Sequence, residues 1–230
     1  MTATGQLAFK LPHRTAMSRE DFLVSSSNSL ALAALDAWAG WPRGRFALTG
    51  ERRSGKTHLV HVWAEMTGAR VMNARGLREA DLTAQSPPAL VIEDVDRISA
   101  LPPDVVETVE TTLFHLYNLR DDWGCPLLLT GVGAPSYWKI ALPDLGSRLS
   151  ALTFTEISPP DDALLSSLLV KLFTDRQIRV DPKVIDYTVR RMERSFAAAE
   201  DLVAKIDALS LEQKRGVTTA LVRKSAGWTE

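Results

Sequence analysis

The stretch "FALTGERRSGKTHLVHVW", Phe46 to Trp63, constrains the fold of this chain more than any other. A short apolar run reads as a strand, and a helical pattern opens seven residues beyond the glycine that ends it. The intervening "GERRSGKT", Gly50 to Thr57, fits the phosphate-loop pattern G-x-x-x-x-G-K-[ST] in its required strand-to-helix context. Gly50 and Gly55 let the backbone curl so that successive N–H groups and a helix N-terminus face an anion. Lys56 reaches the β- and γ-phosphates in such a loop, and Thr57 is the candidate magnesium ligand. Ser54 within the loop and His58 just after it complete the candidate nucleotide-binding set. A glycine turn followed by a capped helix is the plain alternative, and the strand and helix on either side argue against it.

The remaining pattern extends this unit into a parallel sheet. From Asp21 a helix is expected with Leu30, Leu32, Ala33 and Leu35 inward, followed by the strand "RFALT". Further strands are expected at "ARVMNA", "ALVIED", "PLLLTG" and "LTFTEI". An amphipathic helix between the third and fourth carries Val106, Val109, Leu113 and Leu116 on one stripe. Short apolar strands separated by helices call for a parallel sheet covered on both faces. After "SPPDD" only helical spacing remains, with Val184, Ile185, Val189 and Met192, then Leu202, Val203, Ile206 and Leu209. The expected organisation is a tail over 1–20, an α/β nucleotide-binding core with a five-stranded parallel sheet over 21–160, and a small all-helical lid over 161–230.

Composition narrows the setting. With 230 residues, 45% of them hydrophobic, the chain can fill a sizeable core, and a formal charge of −1 gives no overall pull toward nucleic acid or an anionic membrane. Cys125 is the single cysteine, so no intramolecular disulfide framework is available. The N-terminus lacks the apolar core of a signal peptide, and no apolar run approaches a membrane span; a cytoplasmic home is expected. His58 and His61 stand at helical spacing without an apparent third ligand, so packing is preferred to a metal site. The tryptophans are scattered and read as packing residues, with Trp38 and Trp41 near enough to share a helix face.

A phosphate-loop enzyme also needs an acid at the end of a neighbouring strand, and "ALVIED" supplies Glu93 and Asp94. The usual order places a short metal-side acid before a longer one that polarises water, and here the order is reversed. Glu93 is the candidate magnesium-side acid. Water activation by Asp94 is the weaker function of the pair, and capping of the strand end is the structural alternative.

"TGERRSGKTHLVHVWAE", "ALVIEDVDRI", "LLLTGVGAP", "LPDLGSRLSALTFTEISPPD" and "RRMERSFAAAEDLV" stand in an order and spacing that resemble the DnaA/Hda family of AAA+ proteins. The resemblance runs from about Arg19 to the end. It implies a sensor-one role for Thr130, at the end of the fourth strand, and an arginine-finger role for Arg148, directed at a nucleotide held by another subunit. An arginine so placed neutralises transition-state charge, worth about 10³–10⁵ in rate. Arg194, opening the "RSFAAAEDL" helix, resembles the sensor-two arginine, with Arg190 and Arg191 as neighbouring choices. "DFLVSSSN", Asp21 to Asn28, resembles the segment that packs near the adenine. The chain ends after the lid without a basic recognition helix, so sequence-specific DNA binding and a DNA-acting accessory role are not expected. "QLAF", with Gln6, Leu7 and Phe9, is similar to the motif by which the shorter family members dock on the DNA polymerase sliding clamp, a peptide-in-groove mode.

The resemblance thus implies a nucleotide-bound regulator, ADP favoured over ATP, with Mg²⁺. Such a protein is tied to the clamp and presents Arg148 to ATP held by DnaA, stimulating its hydrolysis and preventing re-initiation of replication. Its own ATPase is expected to be weak or absent. The alternative is a self-oligomerising AAA+ ATPase acting as a loader or remodeller, in which the finger acts on another copy of the chain.

Overall fold

A computed structural model describes residues 23–77, 87–123, 125–213 and 215–228 of the chain. The first helix, α1 (Ser29–Asp36), leads through two 3-10 turns into strand β1 (Arg45–Gly50), the phosphate loop and helix α2 (Lys56–Thr67). Strands β2 (Arg70–Asn73) and β3 (Leu90–Glu93) follow, then helix α3 (Pro103–Trp123), strand β4 (Leu127–Gly131), helix α4 (Pro143–Ser150) and strand β5 (Phe154–Ile157). Helices α5 (Asp162–Asp175), α6 (Pro182–Val189), α7 (Phe196–Gln213) and α8 (Thr219–Ala226) complete the order.

The sheet is five-stranded and parallel, in the order β2-β3-β4-β1-β5. Its central strands bury side chains on both faces, as the apolar runs require. Ala47, Leu90, Ile92, Leu127 and Leu129 point into one cluster with Val109, Leu113, Leu116 and Tyr117 of α3. Phe46, Leu48, Val91 and Leu128, one step out of phase, point into the other with Leu59, Val60 and Trp63 of α2. β2 and β5 are the edges and are only partly covered. A third cluster, formed chiefly by Leu165, Leu169, Phe173, Ile185, Val189, Val203, Ile206 and Val222, lies within α5 to α8.

Two local expectations are corrected. α1 begins at Ser29 and turns Ala31 and Leu35 inward, whereas Leu30 is 75% exposed and Ala33 also faces out. In an eight-residue helix the inward stripe is set by the β5 and α2 surfaces it meets. Trp38 and Trp41 share no α-helix face, because a 3-10 turn opens at Trp38 and ends before Trp41. Trp41 instead stacks between Phe46 and Trp63, with centroids at 5.0 and 5.2 Å, and its Nε1–H donates to Ala34 O at 2.8 Å.

Candidate functional site

The phosphate loop sits where β1 ends. Gly50 has φ 153°, and a Cβ there would lie 2.7 Å from Ser54 Oγ and 2.8 Å from Ile157 O, so the close approach admits only glycine. Gly55, at φ 99°, turns the chain into α2 and leaves the first N–H groups of that helix facing the loop. Lys56 is buried, and its Nζ donates to Gly50 O at 2.7 Å and Glu51 O at 2.8 Å, which folds the ammonium inside the loop. Burial pulls its pKa below the ordinary 10.5; Asp96, then Asp94, Glu51 and Glu93, oppose the shift by their charges. Ser54 Oγ is buried with no hydrogen-bond partner. An orphaned hydroxyl, a buried cation and an open helix N-terminus within one loop fit a bound phosphate chain.

The acids divide by position. Thr57 Oγ1 donates to Glu93 Oε1 at 2.9 Å, so the two candidate magnesium ligands are brought together. Among the described residues no group of three His, Cys, Asp or Glu side chains could hold a metal by itself. A magnesium ion here would take one hydroxyl and one carboxylate and draw its remaining ligands from phosphate and water, the habit of that ion. Asp94 adopts a left-handed backbone, φ 59°, at the entry to a 3-10 turn. Its Oδ2 accepts from Asn73 Nδ2 at 3.1 Å and pairs with Arg97 at 3.6 Å, while its N–H donates to Thr130 Oγ1 at 3.3 Å. Thr130 is buried, and it pairs in register with Leu48, two residues before Gly50. Asp96 Oδ1 is a further buried oxygen without a hydrogen-bond partner. Its place as the first opposing charge on Lys56 had no motif to announce it.

The helical end of the chain meets the loop through α7. The Phe196 ring reaches within 3.3 Å of where a Gly55 Cβ would stand, and Arg53 pairs with Asp201 at 3.6 Å. Phe196 of α7 packs against the phosphate loop, and sequence reasoning missed it because one phenylalanine on an amphipathic helix reads as core. Arg194 does not open α7: Ser195 caps it by accepting from the Ala198 N–H at 3.1 Å, and Arg194 stands one residue earlier. Its Nη2 is 2.7 Å from Asp162 Oδ1 in an exposed pair, worth about 0–1 kcal/mol and easily exchanged for a phosphate. Arg191 lies over the Tyr187 ring at 4.2 Å.

Residues 23–28 join this region. Ser26 Oγ donates to Asp161 Oδ2 at 2.8 Å, the Ser158 N–H donates to Ser27 O at 3.1 Å, and Leu23 packs against the α5–α8 cluster. Buried Asn28 donates to Leu23 O at 2.8 Å and accepts from the Ser25 N–H at 2.9 Å, fixing the segment.

Arg148 is separate from this assembly. It is exposed in the last turn of α4, with its guanidinium 5.4 Å from the Phe114 ring and 5.9 Å from the Tyr117 ring. The other neighbour of the Tyr117 ring is Arg45, the first residue of β1, at 3.9 Å. Five strand steps, about 16 Å, separate Arg45 from Gly50. Arg148 therefore belongs to the end of the sheet opposite its own phosphate loop. Gln6, Leu7 and Phe9 lie outside the described residues. Among the described residues no helix is long and apolar enough to cross a membrane.

No protein-family model matches the chain. An uncharacterized protein of Haemophilus influenzae is 24% identical over 187 residues, spanning 78% of this chain and 80% of its own length. The chromosomal replication initiator protein DnaA of Thermomicrobium roseum is 25% identical over 229 residues, spanning 88% of this chain. The chain covers about half of that initiator, 47%. Among solved structures, domain III of the Thermotoga maritima replication initiation protein DnaA superposes with a TM-score of 0.76 at 19% identity, over 94% of this chain and 98% of that one. AMPPCP-bound DnaA from Aquifex aeolicus superposes with a TM-score of 0.68 at 18% identity, over 90% of this chain and 68% of that one.

Proposed function

With a DnaA-related AAA+ chain as the premise, we propose that this protein is an Hda-like regulator whose nucleotide is structural and whose chemistry is done on ATP held by DnaA. The observation that carries the reading is the placement of Arg148, exposed and at the far end of the sheet from its own phosphate loop. An arginine so placed serves a nucleotide bound by another chain. In its own site Asp94, the second acid at the end of β3, is engaged by Asn73 and Arg97, which agrees with weak self-hydrolysis.

The residues have separable roles. The loop from Gly50 through Ser54 and Gly55, with Lys56, holds the phosphates of an adenine nucleotide, ADP in this reading. Thr57 and Glu93 hold Mg²⁺, and His58 supports the loop at the start of α2. A bound nucleotide adds charge stabilisation between α2 and α7, drawing Arg194 from Asp162 and keeping the α7 contacts of Phe196 and Asp201 in register. Residues 23–28 border the adenine side, and Gln6, Leu7 and Phe9 attach the protein to the sliding clamp. Arg148, set on the γ-phosphate of DnaA-bound ATP, neutralises the charge that develops as the phosphoryl group leaves. In this reading the chain divides into a tail over 1–20, a core over 21–160 and a lid over 161–230. In this reading it works in the cytoplasm.

The test is release of phosphate from ATP preloaded on DnaA in the presence of clamp-loaded DNA. The native protein accelerates it, Arg148→Ala does not, and changing Gln6 and Leu7 to Ala removes the dependence on the clamp. Steady ATP turnover by this protein alone, with no acceleration on DnaA, would replace this reading with the self-oligomerising ATPase.

A further inference from the structure

One stripe of α3 meets both ends of α4. Glu110, buried at 2% exposure, accepts through both carboxylate oxygens from the backbone N–H groups of Ala141 at 2.9 Å and Leu142 at 2.7 Å, where α4 begins. Four and seven residues further along α3, Phe114 and Tyr117 stand beside the Arg148 guanidinium near the end of α4. Spacings of four and seven put Glu110, Phe114 and Tyr117 on a single helix face. The rise from Glu110 to Tyr117 is about 10 Å, and that from Leu142 to Arg148 is about 9 Å. The two helices are matched in length between these contacts. No ion pair holds Arg148 among the described residues. Among the described residues its ring neighbours are the faces of Phe114 and Tyr117, both within the range in which a cation is attracted to an aromatic ring.

We infer that Glu110, Phe114 and Tyr117 form a positioning rail for Arg148: Glu110 fixes where α4 starts, and the two rings hold the guanidinium ready to enter a nucleotide site on another chain. This rests on the regulator reading for its consequence, while the contact itself does not. A free arginine spreads over many rotamers, and each must be lost when it docks on a phosphate. Rings draw the guanidinium toward one orientation without neutralising it, as a carboxylate would. The charge stays available for the phosphate, and less ordering remains to be done at docking. Tyr117 is itself anchored, since its carbonyl accepts from Arg45 Nη2 at 2.7 Å and its ring is covered by the Arg45 guanidinium. Phe114 is the half-buried member of the rail and the one to alter.

Two measurements on the full chain test the inference. In the protein alone, a double-mutant cycle on Arg148→Ala and Phe114→Leu reads the coupling in the unfolding equilibrium constant, expected at about two- to fivefold. In the DnaA phosphate-release assay, Phe114→Leu lowers the maximal acceleration by about the same factor with the half-saturating concentration unchanged, and Phe114→Tyr restores it. A coupling of one overturns the rail whatever the assay gives. Coupling with native acceleration in Phe114→Leu overturns the positioning role while Arg148→Ala still upholds the regulator. Absence of acceleration by the native protein overturns the regulator, and the positioning role falls with it.

Discussion

Replacing Glu110 by alanine removes both acceptors from the Ala141 and Leu142 N–H groups, and no other described side chain is bonded to either donor. A fully buried donor left without a partner costs about 1–3 kcal/mol, so two would cost about 2–6, but Ala141 is exposed and Leu142 half-buried, which places this pair at the low end. The groove alongside, about 660 Å³ and bordered by Glu110, Ala141 and Leu142, admits water to the freed donors and sets the loss near the lower end. We expect about 2–3 kcal/mol. With a urea slope of about 2–3 kcal/mol per molar for a chain of this size, the midpoint falls by about 1 M with little change in slope. The control is Glu107→Ala, an exposed acid one turn earlier, which stays within about 0.5 kcal/mol. On the proposed regulator reading, Glu110→Ala also loses acceleration on DnaA at native nucleotide affinity, because the start of α4 loosens while the phosphate loop is untouched. A midpoint shift no larger than that of Glu107→Ala would refute the reasoning. The Ala141 and Leu142 donors would then be satisfied by water alone.

Gly55→Ala forces an alanine to φ 99° and sets its Cβ 3.3 Å from the Phe196 ring, so if the loop holds ADP as proposed, ADP affinity measured by calorimetry falls about tenfold or more and the thermal shift given by ADP–Mg²⁺ disappears. Lys56 has a lowered pKa in the fold, so the unfolded chain binds the proton more tightly and burial of the ammonium opposes folding at neutral pH. That penalty is relieved as pH rises toward 10.5; Lys56→Met, free of it, unfolds at a higher urea concentration than the native protein at pH 7, and the gap narrows at alkaline pH. The Leu164 N–H and then the Ser26 hydroxyl hold the Asp161 carboxyl below its ordinary 3.8, so its stabilising contribution is present above that value and is lost as pH falls through the lower folded value. Asp161→Ala costs about 0.5–2 kcal/mol as a lost helix cap near neutral pH and removes that acid dependence, both read by urea unfolding across pH.

The parts of the site that were legible in the sequence are those held within one strand–loop–helix unit. Gly50, Lys56 and Thr57 are bound to one another by chain connectivity, and the acid at the end of β3 is carried to them by parallel pairing. Thr57 and Glu93 accordingly meet at 2.9 Å. The residues that were missed or misplaced are held by long-range contact. Phe196 against Gly55, Asp96 opposing Lys56, and Ser195 rather than Arg194 at the start of α7 left no local pattern to read. α1 shows the same limit from the other side: eight residues with Leu or Ala at nearly every position contain no period that selects a face, and packing selected Ala31 and Leu35.

By itself, the sequence determined a parallel α/β sheet, a phosphate loop and a closing run of helices. Apolar runs must be covered on both faces, and Gly50 and Gly55 meet the crowding and the widest positive φ of the loop, where a side chain is strained. Only the tertiary structure decided that Arg148 stands at the other end of the sheet from its own phosphate loop, beside two rings of α3. Helical period orders residues within one element, whereas the end of the sheet at which a side chain emerges depends on how distant elements pack.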